Sequence, residues 1–227
     1  MGTKRMNGKR QDFSLTVDMV IFTVVDDTLN VLLVKRKYEP FAGIWALPGG
    51  FVEEDETPRE AAERELLEEA GLSASYLEQL YTFGEPRRDP RGRVVSVAHF
   101  ALVPASQLKI RAGDDAADAR LFPVHNLPKL AFDHKDIIAY AVTRVGNKIQ
   151  YTNVVWSLLP PAFTLSDIQA IYESIWGKKV DKRNFRKKLL SLGLLKPLSR
   201  ERTGLRQRPA KLYAFKTKQF VELRRFF

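Results

Sequence analysis

The stretch Gly49-Gly50-Phe51-Val52-Glu53-Glu54-Asp55-Glu56-Thr57-Pro58-Arg59-Glu60-Ala61-Ala62-Glu63-Arg64-Glu65-Leu66-Leu67-Glu68-Glu69-Ala70-Gly71-Leu72 decides how this chain is read. Thr57 suits a helix cap, Pro58 the first helical position and Gly71 the stop, so a helix is expected between them. At about 100° per residue, Glu65, Glu68 and Glu69 share roughly 100° of arc, and Leu66, Leu67 and Ala70 fall on the other side to anchor the helix. Three carboxylates aimed at one point repel one another unless a cation joins them. Hard oxygen donors beside a diphosphate suit Mg²⁺, or Mn²⁺ in its place. Such an ion neutralises the diphosphate and positions an attacking water, with a remaining glutamate as base and Arg64 holding a carboxylate in place. The plain alternative is a solvated Glu/Arg-rich helix; the complete spacing from Gly50 through Glu56 to Leu72 argues against it.

Outward from this helix the pattern is α+β. Residues 14–25 and 30–36 read as strands around an Asp26-Asp27-Thr28 turn, and residues 44–50 deliver a loop into the helix. A strand at 94–103, a short strand at 121–124 and a closing helix at 132–145 follow. Past Asn147 the periodicity becomes helical: a short helix at 152–159 ended by Pro160-Pro161, then a helix capped by Thr164 with Asp167, burying Ile168, Ile171, Tyr172 and Ile175 and stopped by Gly177. Asp181 caps another, with Phe185, Leu189 and Leu192 inward and Gly193 at its end. Strands at 194–198 and 210–215 flank a basic loop. Helix, turn, helix and hairpin is the plan of a winged helix.

Charge divides the chain in the same place. The net charge is +10, yet residues 178–227 hold 17 Lys or Arg against 3 acids, which is +14, leaving −4 for the rest. Lysines and arginines interleaved with apolar residues at helical and strand periods imply a folded basic surface rather than a solvating tail. The helix from Asp181 is expected to enter the major groove of an operator DNA, with Lys182, Arg183, Asn184, Arg186 and Lys187 at phosphates or bases. Arg200, Arg202, Arg206 and Arg208 of the wing would grip the backbone or minor groove. The chain has no cysteine, which excludes disulfides and thiolate metal sites. A basic tail opens it with no apolar region behind, and no stretch reaches the ~18 apolar residues of a membrane span, so a soluble, cytoplasmic protein with no membrane partner is expected. His99, His125 and His134 show no metal-ligand spacing; His134 beside Asp133 reads as a feature of a helix N-terminus.

The glycine-to-leucine stretch resembles the complete box of the Nudix hydrolases. That resemblance implies an α/β/α sandwich and cleavage of nucleoside diphosphates linked to another moiety. It implies Glu68 and Glu69 as principal metal ligands, Glu65 as a further ligand or the base, Arg64 and Glu56 as supports, and the Gly49 carbonyl facing a metal. Pro86 stands where ADP-ribose-handling members often carry a proline, and the run from Arg87 to Arg93 resembles a loop of the same group. Arg87, Arg88, Arg91 and Arg93 suit paired phosphates, and Phe83 or Tyr81 a base. With the second part included, the chain resembles the Nudix-related transcriptional regulators, on Phe132-Asp133-His134, Phe163-Thr164-Leu165-Ser166, residues 181–187 and residues 208–213. The reading is therefore a basic tail at 1–12, a Nudix domain at 13–148 and a winged helix at 149–227. It implies a homodimeric, ADP-ribose-responsive repressor of NAD-metabolism genes that retains Mg²⁺-dependent ADP-ribose pyrophosphatase chemistry. A housekeeping Nudix hydrolase and a sugar-responsive regulator of the same plan are the other readings.

Overall fold

The computed structural model describes residues 12–71, 76–108, 110, 116–202 and 209–224, the side chain of Ala70 excepted. Strands β1 (Ser14–Val25) and β2 (Thr28–Arg36) form an antiparallel hairpin. Asp26 and Asp27 make its turn, both at positive φ (48° and 57°), the backbone that a tight two-residue hairpin demands. Strand β3 (Trp45–Ala46) pairs with β2 and β4 (Gly49–Phe51) with the first half of β1. Helix α1 (Pro58–Ala70) begins at a capping box between Thr57 and Glu60 and ends at Gly71, whose φ of 67° a side chain would resist. Strands β5 (Tyr76–Phe83) and β6 (Val94–Leu102) are antiparallel to each other, β6 runs parallel to β1, and β7 (Ala116–Pro123) pairs with β2. The described strands of this part form one mixed seven-stranded sheet.

Both faces of the sheet are covered, as an α/β/α sandwich requires. Met19, Ile21 and Leu32 pack on Ala62 and Leu66 of α1, and Val20, Phe22 and Val31 pack on Ile137, Ile138 and Ala141 of α2 (His134–Lys148). The alternation along β1 thus buries successive residues on opposite faces, which is why the strand reads as a continuous apolar run.

The second part comprises α3 (Leu165–Trp176), α4 (Lys182–Ser191), β8 (Leu195–Arg202) and β9 (Ala210–Phe215). Thr164 and Asp167 close a capping box on α3, and Phe163 exchanges backbone hydrogen bonds with Tyr213 at 3.0 and 2.7 Å. Tyr172 and Phe185 meet edge to face at 5.1 Å and join the two helices. One apolar cluster runs without a break from Phe22 and Leu33 through Val154 and Ile171 to Phe185, so the two parts share a core. No helix among the described residues is long and apolar enough to cross a membrane.

Five local readings need correction. Strand β5 had no alternation by which to be seen, and β7 begins at Ala116, not at 121. Residues 154–158 form a 3-10 turn rather than an α-helix, and the Asn153 side chain just before it is bonded to Gln219 O and Val221 N of the C-terminal segment, both at 2.8 Å. Helix α2 starts at His134 because Phe132, at φ 51°, turns the chain first. On α1 the buried arc is Ala61, Ala62, Glu65, Leu66 and Glu69, whereas Leu67 is 57% exposed. The acidic residues at 65 and 69 lie on the inward side, and this explains why the helix looks so polar for one that is half buried.

Candidate functional site

Arg64 organises the carboxylate helix. Its guanidinium donates to Glu56 at 2.7 and 3.2 Å, to Glu65 at 2.8 Å and to the Phe51 carbonyl at 3.2 Å, and lies 3.7 Å from Glu68. It thereby fastens α1 to the preceding loop and to β4. Burial pushes the Glu65 carboxyl up, against the pull of Arg64, while the Arg64 hydrogen bonds draw Glu56 down. The two glycines that open the motif are required by close approach. A Cβ on Gly49 would lie 2.2 Å from the Val17 carbonyl, and one on Gly50 would lie 2.3 Å from Glu65 Oε1.

Glu65 and Glu68 both face the Arg64 Nη1 group, and Glu69 lies on the buried side of the same helix. Among the described residues no three acidic or histidine side chains gather closely enough to hold an ion. Arg64 Nη1 occupies one Glu65 oxygen and lies 3.7 Å from the Glu68 carboxylate, whose side chain is 52% exposed. The donor chemistry still fits a hard divalent cation: three carboxylates on adjacent turns, with Gly49 in the lining of the neighbouring cavity.

That cavity, of about 280 Å³, opens beside Gly49 and Gly50 and is lined by Asp18, Arg36, Phe51, Arg88, Arg91 and Phe132 among others. Two of its guanidinium groups lie over rings: Arg36 is 5.0 Å from the Phe132 centroid, and Arg91 is 5.4 Å from Phe51 and 5.7 Å from Phe132. Phe41 and Phe132 meet at 4.9 Å, both with a positive φ (66° and 51°) that non-glycine residues rarely adopt. Strain of this kind is held by surrounding structure and gathers at binding sites.

Behind the cavity wall is a buried polar network. Arg88, with a side chain only 4% exposed, forks onto Asp133 at 2.7 and 2.8 Å and reaches Asp18 at 2.9 Å. His134 Nδ1 accepts the Leu47 backbone N–H at 2.8 Å, so the ring proton sits on Nε2, 3.3 Å from Asp18. Burial disfavours the Asp18 charge, yet His134 and Arg88 together hold its carboxyl well below the ordinary carboxylate range.

The arginine loop between β5 and β6 is therefore mostly a structural device. Arg88 and Arg91 line the cavity, and Arg91 is itself paired with Asp89 at 2.6 Å. Pro86 and Arg87 are exposed and stand outside the lining, Arg93 donates to the Gly84 carbonyl at 2.5 Å, and Phe83 packs on Tyr81 and Tyr140. The sequence reading missed Asp18, Arg36, Phe51 and Phe132, which come from strand ends and turns with no motif of their own; Phe132 was quoted only as part of a family pattern.

On the second part, Lys182, Arg183, Asn184 and Lys187 are exposed along α4, and Arg200 is exposed on β8. Arg186 is half-buried and donates to Ser166 of α3 at 2.8 Å. Arg202 forks onto Asp167 at 2.7 and 3.1 Å and thus fastens the wing to the start of α3. Arg206 and Arg208 lie outside the described residues.

Comparison with known proteins agrees with this two-part architecture. The NUDIX domain family matches residues 14–141, and the NrtR DNA-binding winged helix domain matches residues 155–215. An ADPR responsive transcriptional repressor of Acinetobacter baylyi is 40% identical over 205 residues, spanning 88% of this chain and 81% of the relative. An ADP-ribose pyrophosphatase of Methanocaldococcus jannaschii is 44% identical over 135 residues, 60% of this chain and 79% of its own. The crystal structure of Shewanella oneidensis NrtR complexed with a 27mer DNA superposes with a TM-score of 0.80 at 38% identity, covering 89% of this chain and 93% of that one. The chain belongs to the Nudix family, in the branch that joins the hydrolase fold to an NrtR-type DNA-binding winged helix.

Proposed function

We propose that this protein is a homodimeric transcriptional repressor of NAD-metabolism genes. Its winged helix holds operator DNA, and its Nudix cavity takes ADP-ribose, which it cleaves in the presence of Mg²⁺ to AMP and ribose 5-phosphate. The observation that carries the reading is the coexistence, in one core, of a cavity offering guanidinium groups stacked on aromatic faces and a helix with an exposed basic face. Arg36 and Arg91 supply planar donors for a diphosphate, and Phe51 and Phe132 supply faces for an adenine or ribose. The preference of these groups for phosphate over a neutral sugar disfavours a sugar effector, and the folded basic helix disfavours a housekeeping hydrolase. Glu65, Glu68 and Glu69 would hold the metal, which when bound supplies charge neutralisation and an activated water. Arg64 keeps the carboxylate helix docked on β4 next to the diphosphate position.

The operator contacts rest on Lys182, Arg183, Asn184, Arg186, Lys187, Arg200 and Arg202, of which Arg186 and Arg202 also bond to Ser166 and Asp167 at the start of α3. A mobility shift on a palindromic site from the gene's own neighbourhood tests this. ADP-ribose is expected to release the DNA, with rebinding over time in Mg²⁺ and none in EDTA. Because several cation–phosphate contacts release counterions, raising salt from about 50 to 200 mM is expected to weaken binding by roughly 10²-fold or more. Salt-independent binding, or none at any neighbouring site, would refute the repressor reading.

A further inference from the structure

Helix α2 has 15 residues, about 22 Å at 1.5 Å per residue, and touches the cavity with one end and the DNA-binding part with the other. His134, its first residue, lines the cavity. Asp133, in the N-cap position, makes no capping hydrogen bond to the helix; its carboxylate is taken instead by the fork of Arg88, another cavity residue. At the far end the Gly146 carbonyl accepts the indole N–H of Trp176, the last residue of α3, at 3.0 Å. Two residues on, Lys148 is paired with Glu78 at 2.7 Å and lies 5.2 Å over the ring of Phe220. Phe220 belongs to the segment that follows β9, and that segment is tied back by Asn153. Between the two ends Ile137, Ile138, Ala141 and Val145 are buried in the sheet core, so the helix can respond only as a packed body.

We propose that α2 carries ligand occupancy from the cavity to the DNA-binding part, with the Arg88–Asp133 fork as its input and the Trp176 and Phe220 contacts as its output. The inference rests on the ADP-ribose reading above. A diphosphate entering the cavity offers Arg88 a further anionic partner. Arg88 spends three of its five N–H donors on Asp133 and Asp18, from Nε and Nη2. A phosphate drawn to its Nη1 side competes for the same single positive charge and pulls on the same rigid plane, so occupancy weakens the hold on the start of α2. Small shifts of a packed helix are passed on at interfaces because close-packed contacts have discrete arrangements rather than a continuum. The helix end reaches α3 directly and β9 through its trailing segment, so both sides of the winged helix are addressed. The ligand must bind the DNA-released arrangement more tightly, and DNA must weaken ligand binding by the same factor.

The test uses the full chain and a labelled operator fragment, with DNA affinity read by fluorescence anisotropy in the absence and presence of saturating ADP-ribose. In the double variant Trp176→Phe with Phe220→Leu, apolar volume is largely kept while the indole N–H and the second ring are lost. DNA affinity without ligand and ligand affinity without DNA are expected to stay within about twofold of wild type, while the ligand-induced weakening of DNA binding, ordinarily about 5- to 150-fold, falls at least fivefold. Asp133→Asn, at the opposite end of the helix, is expected to reduce the same factor without touching Trp176. An unchanged coupling factor in both variants overturns the proposal. Loss of any ADP-ribose effect already in the wild type overturns the functional reading beneath it, so the two failures are distinguishable.

Discussion

Glu68→Gln combined with Glu69→Gln is expected to lower ADP-ribose cleavage by on the order of 10³-fold or more. The amides keep the size of the side chains and remove the anionic oxygens that a hard divalent cation requires. The change should leave the fold intact, because α1 is fastened chiefly by Arg64 with Glu56, Glu65 and the Phe51 carbonyl, which are kept, and only the longer 3.7 Å approach of Arg64 to Glu68 is lost. Removing two of several crowded negative charges also relieves repulsion when no metal is bound. The measurement is AMP release from ADP-ribose in Mg²⁺ by clean protein, alongside the operator mobility shift. Wild type is expected to release DNA on ADP-ribose addition and to recover as the ligand is consumed, whereas the variant releases DNA without recovering. Turnover at the wild-type rate in the variant would remove these glutamates from the chemistry and with them the enzymatic half of the proposed function.

The helix that bears these residues was legible because its ends are written locally. Thr57, Glu60 and Pro58 at the start and Gly71 at the stop satisfy or excuse backbone groups within one turn, with no help from distant chain. Which side of that helix faces the sheet was not legible. Periodicity puts Glu65 and Glu69 on one arc but cannot show that Ala61, Ala62 and Leu66 draw the same arc inward. The cavity was still less readable, since Asp18, Arg36, Arg91 and Phe132 meet only through sheet topology. The arginine-rich loop illustrates the limit. Its composition suggests a phosphate grip, yet Arg88 is neutralised by Asp18, 70 residues away, and by Asp133, 45 residues away. Arg202 is similarly paired with Asp167, 35 residues earlier, although its side chain stays 39% exposed. A cation in sequence is a candidate contact; the carboxylate that claims it is a property of the fold. The winged helix, by contrast, was visible from its caps and stripe, since Thr164 with Asp167, Asp181 and the Ile168-to-Ile175 repeat are all local signals.

Arg88→Met is expected to lower the melting temperature at neutral pH by roughly 6–20 °C, which corresponds to about 3–5 kcal/mol for a chain of this size. The Met side chain fills similar space, so the loss is electrostatic: Asp18 and Asp133 remain facing each other around a cavity wall with their shared guanidinium gone. Arg88→Lys should recover part of the deficit, because an ammonium restores the charge without the fork that spans both carboxylates. The pH dependence gives an independent check. In the wild type the Asp18 carboxyl titrates well below its unfolded value: burial opposes the charge, but His134 and Arg88 outweigh it. Its contribution is therefore fully present above the unfolded value of about 3.9 and is lost as pH falls from there through the folded value. Without Arg88, burial is opposed by fewer partners, the folded value rises, and the variant's contribution from this group shrinks. The melting-temperature gap between wild type and Arg88→Met is thus expected to be widest near neutral pH and to narrow as the solution is acidified below about pH 4. A gap that is absent at pH 7, or that widens on acidification, would show that the network does not rest on this ion pair. Because Arg88 also faces the cavity, the same residue sets both the stability of the wall and the anionic character of what can displace it, and a ligand that competes for Arg88 must draw on that stability to do so.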